Sequence, residues 1–291
     1  MFSARRLVLF ISCLWLACFV LAPMLIVLRL SFSEAADALP PYLPQFMGDV
    51  VAFFQAFNLE SYNQILSDSL YFESYFNSVV LALTATLLTG LIGYPLALAI
   101  SRSAKKWQPL LLMLVMVPFW TSFLIRIYAW IGILKDDGFL NAALQSLGLT
   151  DAPLTLLNTQ AAVLIGMVYA YLPFMVLPIY AALNRLDDAL LEAAADLGCP
   201  PWQRFWRVTW PLTMPGVIAG AALVFIPSVG EFVIPDLLGG SGTLMIGKTL
   251  WVDFFSNRDW PLASAAAIIM LVTILVPFIA VQRFISKEKT A

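Results

Sequence analysis

Glu192-Ala193-Ala194-Ala195-Asp196-Leu197-Gly198, running on to Val208-Thr209-Trp210-Pro211, is a polar interruption in an otherwise apolar chain. Asp187 or Asp188 can cap a helix just before it, where acids suit the positive end of the helix dipole. The alanines favour helix and leave a smooth face, and Gly198 is placed to end it in the left-handed conformation. Pro200 and Pro201 open a second helix with Trp202, Phe205, Trp206 and Thr209 on one face and Gln203, Arg204 and Arg207 on the other. Pro211 is expected to stop it. A pair of this kind fits two settings: an interfacial helix lying on lipid headgroups, or a helix seated in a partner's groove.

The surrounding chain sets the context. Its 291 residues are 61% hydrophobic and 12% charged, with a mean hydropathy of +0.87. Soluble domains are about half apolar and about a quarter charged, so the composition reads as a polytopic membrane protein. A net charge of −2 argues against nucleic acid as a partner. The absence of His removes His-based acid–base catalysis, catalytic triads and His-ligated metals. Cys13, Cys18 and Cys199 have the spacing of neither a disulfide framework nor a zinc site. No catalytic group and no metal site is expected.

A helix needs about 20 apolar residues to cross the hydrocarbon. Stretches at 7–31, 76–100, 110–134, 161–182, 215–238 and 262–284 qualify, giving an expected six-span, all-α membrane protein. The first, after Arg5 and Arg6, outruns the about 7–15 residues of a signal-peptide core and lacks a small-residue cleavage site. It reads as a retained anchor helix. Gly216 and Gly220 form a G-x-x-x-G pair suited to close helix contact, although that motif is common. With no internal repeat, 1–291 reads as one membrane domain, with an outer loop at 32–75 and an inner loop at 183–214.

Lys and Arg set the orientation. Arg5, Arg6, Arg102, Lys105, Lys106, Arg185, Arg204, Arg207, Arg283, Lys287 and Lys289 fall on one side if the spans alternate from a cytoplasmic N-terminus. Both termini are therefore expected inside. The opposite face is acidic, with Glu34, Asp37, Asp49, Glu60, Asp68 and Glu73 in its first loop and Asp136, Asp137, Asp151, Asp236, Asp253 and Asp259 later. Such a face steers cations or a basic partner, or simply reflects outer loops short of Lys and Arg.

Gly242 to Thr249 fits G-x-x-x-x-G-K-[ST] letter for letter. A phosphate loop needs a strand before that turn and a helix after it, inside an α/β domain. Here a membrane helix precedes it and the topology puts it outside, so the match is read as chance.

The inner loop resembles the EAA loop of ABC-importer permeases: Glu192, Ala193, Ala194, Gly198 and Pro211 match, while Val208 and Trp210 stand where Ile and Leu are usual. Pro118 to Arg126, Tyr169 to Met175, Gly230 to Pro235 and Arg258 to Pro261 are similar to polyamine permeases, in particular the PotH-type subunits of putrescine/polyamine importers. The resemblance implies the type I ABC-importer permease fold in a bacterial inner membrane. It implies that Glu192, Ala193, Ala194, Gly198, Val208 and Pro211 couple to a separate ATPase. It further implies a second homologous permease, two ATP-binding subunits and a periplasmic polyamine-binding protein as partners. ATP and Mg would sit on the ATPase, with no cofactor in this chain. Another small solute as cargo, an ion-coupled carrier and a membrane enzyme are the competing readings.

Ionisable residues within spans usually face the bundle interior. Arg126 and Glu231 each lie 16 residues past the start of an expected inside-to-outside span. At a rise of ~1.5 Å per residue both should sit about 24 Å from the inner surface. Glu231 can offer a carboxylate to a passing ammonium with Arg126 as its resting partner, or the two can form a purely structural pair. Trp120, Phe123, Tyr128, Trp130, Tyr169 and Tyr171 add ring faces that attract alkylammonium groups, though Trp and Tyr also gather at membrane interfaces. Asp236 and Asp259 are candidates for an outer receiving ring, or solvated loop charges.

Overall fold

The computed structural model describes residues 4–43, 57–240 and 242–288. Asp49 and Lys289 lie outside these residues, as do the side chains of Arg5, Arg6, Arg283 and Lys287. The chain divides into two compact units, Met1–Tyr75 with Thr249–Ala291, and Phe76–Lys248.

In the first unit, α1 (Ala4–Leu16) passes through a π-helical turn, Ala17–Leu21, into α2 (Ala22–Leu30). The stretch Leu9–Leu30 is long and apolar enough to cross a membrane, and none of its most apolar window is buried. Phe10 and Trp15 are 64% and 63% exposed. An apolar surface of that extent belongs in lipid. Two-residue strands β1 (Glu34–Ala35) and β2 (Tyr42–Leu43) pair antiparallel. The short helix α3 (Glu60–Ser67) starts where Asn58 Oδ1 accepts from the Glu60 amide at 2.7 Å. The long helix α4 (Ser69–Arg102) begins here, and α14 (Trp260–Glu288) packs against α2 and α3.

The second unit holds most of α4, then α5 (Gln108–Met116), α6 (Phe123–Leu134), α7 (Phe139–Ser146) and α8 (Gln160–Leu183). There follow α9 (Asp188–Asp196), α10 (Pro201–Arg204), α11 (Trp210–Val229), α12 (Val233–Leu238) and the start of α13 (Ile246–Trp251). Met167, Met175, Ile179, Val224, Ile234 and Leu238 are almost fully buried in its core. The principal packing is α8 on α11. Its closeness explains the glycine pair: a Cβ on Gly216 would stand 2.5 Å from Ala182 Cβ, and one on Gly220 2.9 Å from Met175 Sδ. Without a hydrophobic drive between helices in lipid, such close backbone approach is what holds them together.

Among the described residues four helices are long and apolar enough to span, Leu9–Leu30, Ser69–Arg102, Gln160–Leu183 and Pro201–Val229. Gln108–Trp120 with Phe123–Ser146 makes a fifth if that pair, bent by 89°, is one crossing, and Trp260–Val276 is a shorter apolar stretch. Two expected spans are therefore interrupted. The first breaks after a 3-10 turn, Val117–Trp120, that carries Pro118. The second, 215–238, breaks at Gly230 to Phe232, between α11 and α12.

Pro211 does not end the second loop helix. α10 runs through a π turn, Phe205–Thr209, straight into α11, with Pro211 in its first turn. A wide turn already releases backbone acceptors, so a residue lacking an N–H fits there without a clash.

Candidate functional site

The loop between α8 and α11 is built from local signals. Asp187 is the N-cap of α9, its Oδ1 accepting from the Ala189 amide at 3.0 Å. At the other end the Gly198 amide donates to Ala195 O (2.8 Å) and the Cys199 amide to Ala194 O (3.0 Å). That is a Schellman closure, which needs a left-handed residue, and Gly198 has φ +75°. Glu192 and Ala193 are exposed, Ala194 and Val208 half-buried, and Leu197 is 88% exposed.

The second loop helix splits its aromatic face. Phe205 turns inward, edge-on to Tyr94 at 5.7 Å, and Trp210 lies 5.1 Å from the same ring. Tyr94 and Thr213 share a hydroxyl hydrogen bond of 2.9 Å. Trp202 stays 70% and Trp206 46% exposed. Sequence periodicity puts Trp202, Phe205, Trp206 and Thr209 on one face of this helix. The π turn rotates that stripe, so Phe205 and Thr209 anchor the loop while two tryptophans and Leu197 face outward.

A second constellation surrounds Glu231, which is 9% exposed. Tyr171 donates to its Oε2 at 2.5 Å. Its Oε1 accepts from the amides of Phe232 (3.1 Å), Val233 (3.0 Å) and Ile234 (3.4 Å) at the start of α12. The carboxylate thus holds the break in the helix, where free N–H groups and the dipole favour negative charge.

Arg126 is not its partner. No ion pair joins the two among the described residues; the guanidinium lies over Phe119 and Phe123 instead, at 5.5 and 5.6 Å from the ring centroids. Its Nε is buried without a hydrogen bond to any of the described residues. The shared depth inferred for Arg126 and Glu231 assumed straight helices, which the 89° bend removes.

Of the other candidates, Trp120 and Tyr128 are exposed (70% and 58%), Trp130 meets Tyr169 edge-on at 5.4 Å, and Tyr171 is buried. Asp236 pairs with Lys248 at 3.0 Å. Lys248 is the lysine of the phosphate-loop match, so that side chain is held by a carboxylate. Asp259 Oδ1 accepts from the Leu262 amide at 3.0 Å, capping α14. One polar centre escaped sequence reasoning: Asp253, 5% exposed, accepts from Tyr71 (2.7 Å) and Asn257 (3.0 Å). Burial raises its carboxyl above the ordinary 3.8, Asp259 and Asp68 push the same way, and the two donors oppose them. Tyr71 and Asp253 are 182 residues apart, and nothing local signals their meeting.

Residues 4–290 match the family described as "Binding-protein-dependent transport system inner membrane component". The chain belongs to that family. It is a multi-pass inner-membrane transport subunit and not an enzyme. It is 44% identical over 254 residues to the spermidine/putrescine transport system permease protein PotB of Haemophilus influenzae, covering 87% of this chain and 84% of that one. PotB of Escherichia coli K12 is 43% identical over 258 residues, 89% of each chain. The inner membrane ABC transporter permease protein YdcU of the same bacterium is 32% identical, covering 73% of this chain and 71% of that one. Among solved structures, a bacterial ABC transporter importing the acidic polysaccharide alginate is similar, with a TM-score of 0.69 at 18% identity and 96% of both chains covered. The alginate transporter in complex with its pentasaccharide-bound periplasmic protein gives 0.68 at 18%, covering 94% and 90%. These two likenesses show the same all-helical fold, which together with the family match is that of the type I ABC-importer permeases.

Proposed function

We propose that this chain is one of two permease subunits of an ATP-driven importer for polyamines, putrescine or spermidine. The supporting observation is its 43–44% identity, over 87–89% of its length, to spermidine/putrescine permeases. In this reading six spans cross the membrane with both termini inside, and the broken crossings at Trp120 and Glu231 line the path. Residues 183–214 form the coupling loop. Exposed Glu192, Ala193 and Leu197, with Trp202 and Trp206, present a face to a separate ATPase, which holds ATP and Mg. Ala194, Gly198, Val208 and Pro211 keep that face in shape.

When the two ATPase subunits close on ATP, the loop moves, and α11 moves with it because the chain from Pro201 to Val229 is one continuous rod. A periplasmic binding protein delivers cargo to the acidic outer face. The ring faces of Trp120, Phe123, Tyr128, Tyr169 and Tyr171 give weak, distributed attraction to an alkylammonium, ~0.5–2 kcal/mol each. Glu231 supplies charge beside them.

Reconstitution of the complete importer tests this. Labelled putrescine or spermidine should enter vesicles only with ATP and the binding protein, and amino acids in excess should not compete. Uptake displaced by amino acids and not by polyamines would reject the cargo.

A further inference from the structure

Two arginines in the second unit stand around a space with nothing negative in its lining. A cavity of about 350 Å³ lies between the end of α4 and the loop, lined by Leu98 and Arg102 from α4, Leu191 from α9, and Arg204, Phe205 and Thr209 from the second loop helix. Nε of Arg204 is shut from solvent and has no hydrogen-bond partner among the described residues. A partly desolvated cation without a counter-charge is costly. Arg102 cannot relieve it, being a second cation. Lys105 and Lys106 follow on the exposed turn beyond Arg102.

Such a lining suits an anion with oxygens for a guanidinium fork and an apolar body for Leu98, Leu191 and Phe205. We propose that the cavity binds the phosphodiester headgroup of an anionic phospholipid, its phosphate between Arg102 and Arg204 and its glycerol and upper acyl carbons against the leucines. The volume suits a phosphoglycerol group. The place suits it too: α4 is a span ending at Arg102, so the cavity opens at a membrane surface, where basic pockets between helices take lipid headgroups. Bound there, the lipid would tie the loop to the end of α4 through charge, beside the Tyr94, Phe205 and Trp210 contact. The inference does not depend on which solute is carried.

Native mass spectrometry of the purified full-length chain, given phosphatidylglycerol or phosphatidylcholine in detergent, tests it. The expected result is retention of phosphatidylglycerol about tenfold above phosphatidylcholine. Arg204→Gln should abolish the preference, and Arg185→Gln, an exposed cation outside the cavity, should keep it. Leu191→Trp, which fills the space and leaves both charges, should also expel the lipid and covers the case of a misfolded arginine variant. Equal retention of the two lipids, or unchanged retention in Leu191→Trp, would overturn the proposal. So would displacement of bound phosphatidylglycerol by inorganic phosphate in large excess, since the ligand would then be a free anion.

Discussion

The phenol of Tyr171 reaches Glu231 Oε2 at 2.5 Å, joining the middle of α8 to the break between α11 and α12. The other oxygen of that carboxylate closes the amides that the break exposes. One side chain thus starts α12 and ties it to α8. This gives Glu231 a structural duty, which can be separated from the transport role proposed for it.

Glu231→Gln keeps an oxygen for the α12 amides and a polar group for Tyr171, so it should fold. Tyr171→Phe leaves a buried carboxylate short of a donor and should lose about 1–3 kcal/mol. With the charge taking part in passage, Glu231→Gln should melt near wild type in detergent yet import polyamine at least about tenfold slower, a barrier rise of about 1.4 kcal/mol. Normal uptake by a folded Glu231→Gln would leave the residue with its structural duty alone.

The α8–α11 contact gives a prediction with a built-in control. Gly216→Ala puts a Cβ against Ala182 and the Pro178 carbonyl, the latter backbone at 2.7 Å, and should cost about 1–3 kcal/mol. Gly132→Ala in α6, which meets nothing within 4 Å, should be neutral or gain up to about 1 kcal/mol. Thermal melts of the two variants in one detergent decide it.

Gly198 is required for backbone reasons alone, since no atom lies within 4 Å of a Cβ there. Its φ of +75° makes Gly198→Ala cost about 1–2 kcal/mol, localised to the loop. Assembled with its partners, the variant should hydrolyse ATP but respond less to loaded binding protein. An undiminished response would show that the Schellman closure is dispensable for coupling.

Asp253 makes stability depend on pH. Its carboxyl is raised in the folded protein, mainly by burial, so the native state holds the proton more tightly than the unfolded chain. Stability should therefore fall as pH rises from 3.8 through the elevated folded value, and level off above it. Asp253→Asn keeps a group for Tyr71 and should flatten that slope. Melting curves across the acidic range are the measurement, and parallel slopes for both proteins would contradict the assignment.

The loop was legible because its instructions are local. Asp187, the alanines and Gly198 each act within a few residues, and the structure forms the cap and closure they specify. The interrupted helices were not legible, because hydropathy reads composition and the composition does not change at Thr121 or Gly230. What makes the second break is a side chain turning back onto amides. Pro211 misled for a related reason: its effect depends on whether the preceding turn has already freed the acceptors, which the π turn does. The Arg126–Glu231 pairing failed because charge complementarity ignores the rings of Phe119 and Phe123, which offer a cation a nearer surface.

The central claim is that the face carrying Leu197 and Trp202 is gripped by an ATP-hydrolysing partner. The direct measurement is disulfide cross-linking from Leu197→Cys in the assembled importer to single cysteines placed across the ATPase surface, with and without nucleotide. The expected result is a cross-link to one ATPase cleft whose yield changes when ATP is bound. A Cys at 197 that is freely alkylated in the full complex, with no bond to the ATPase in either state, would contradict it.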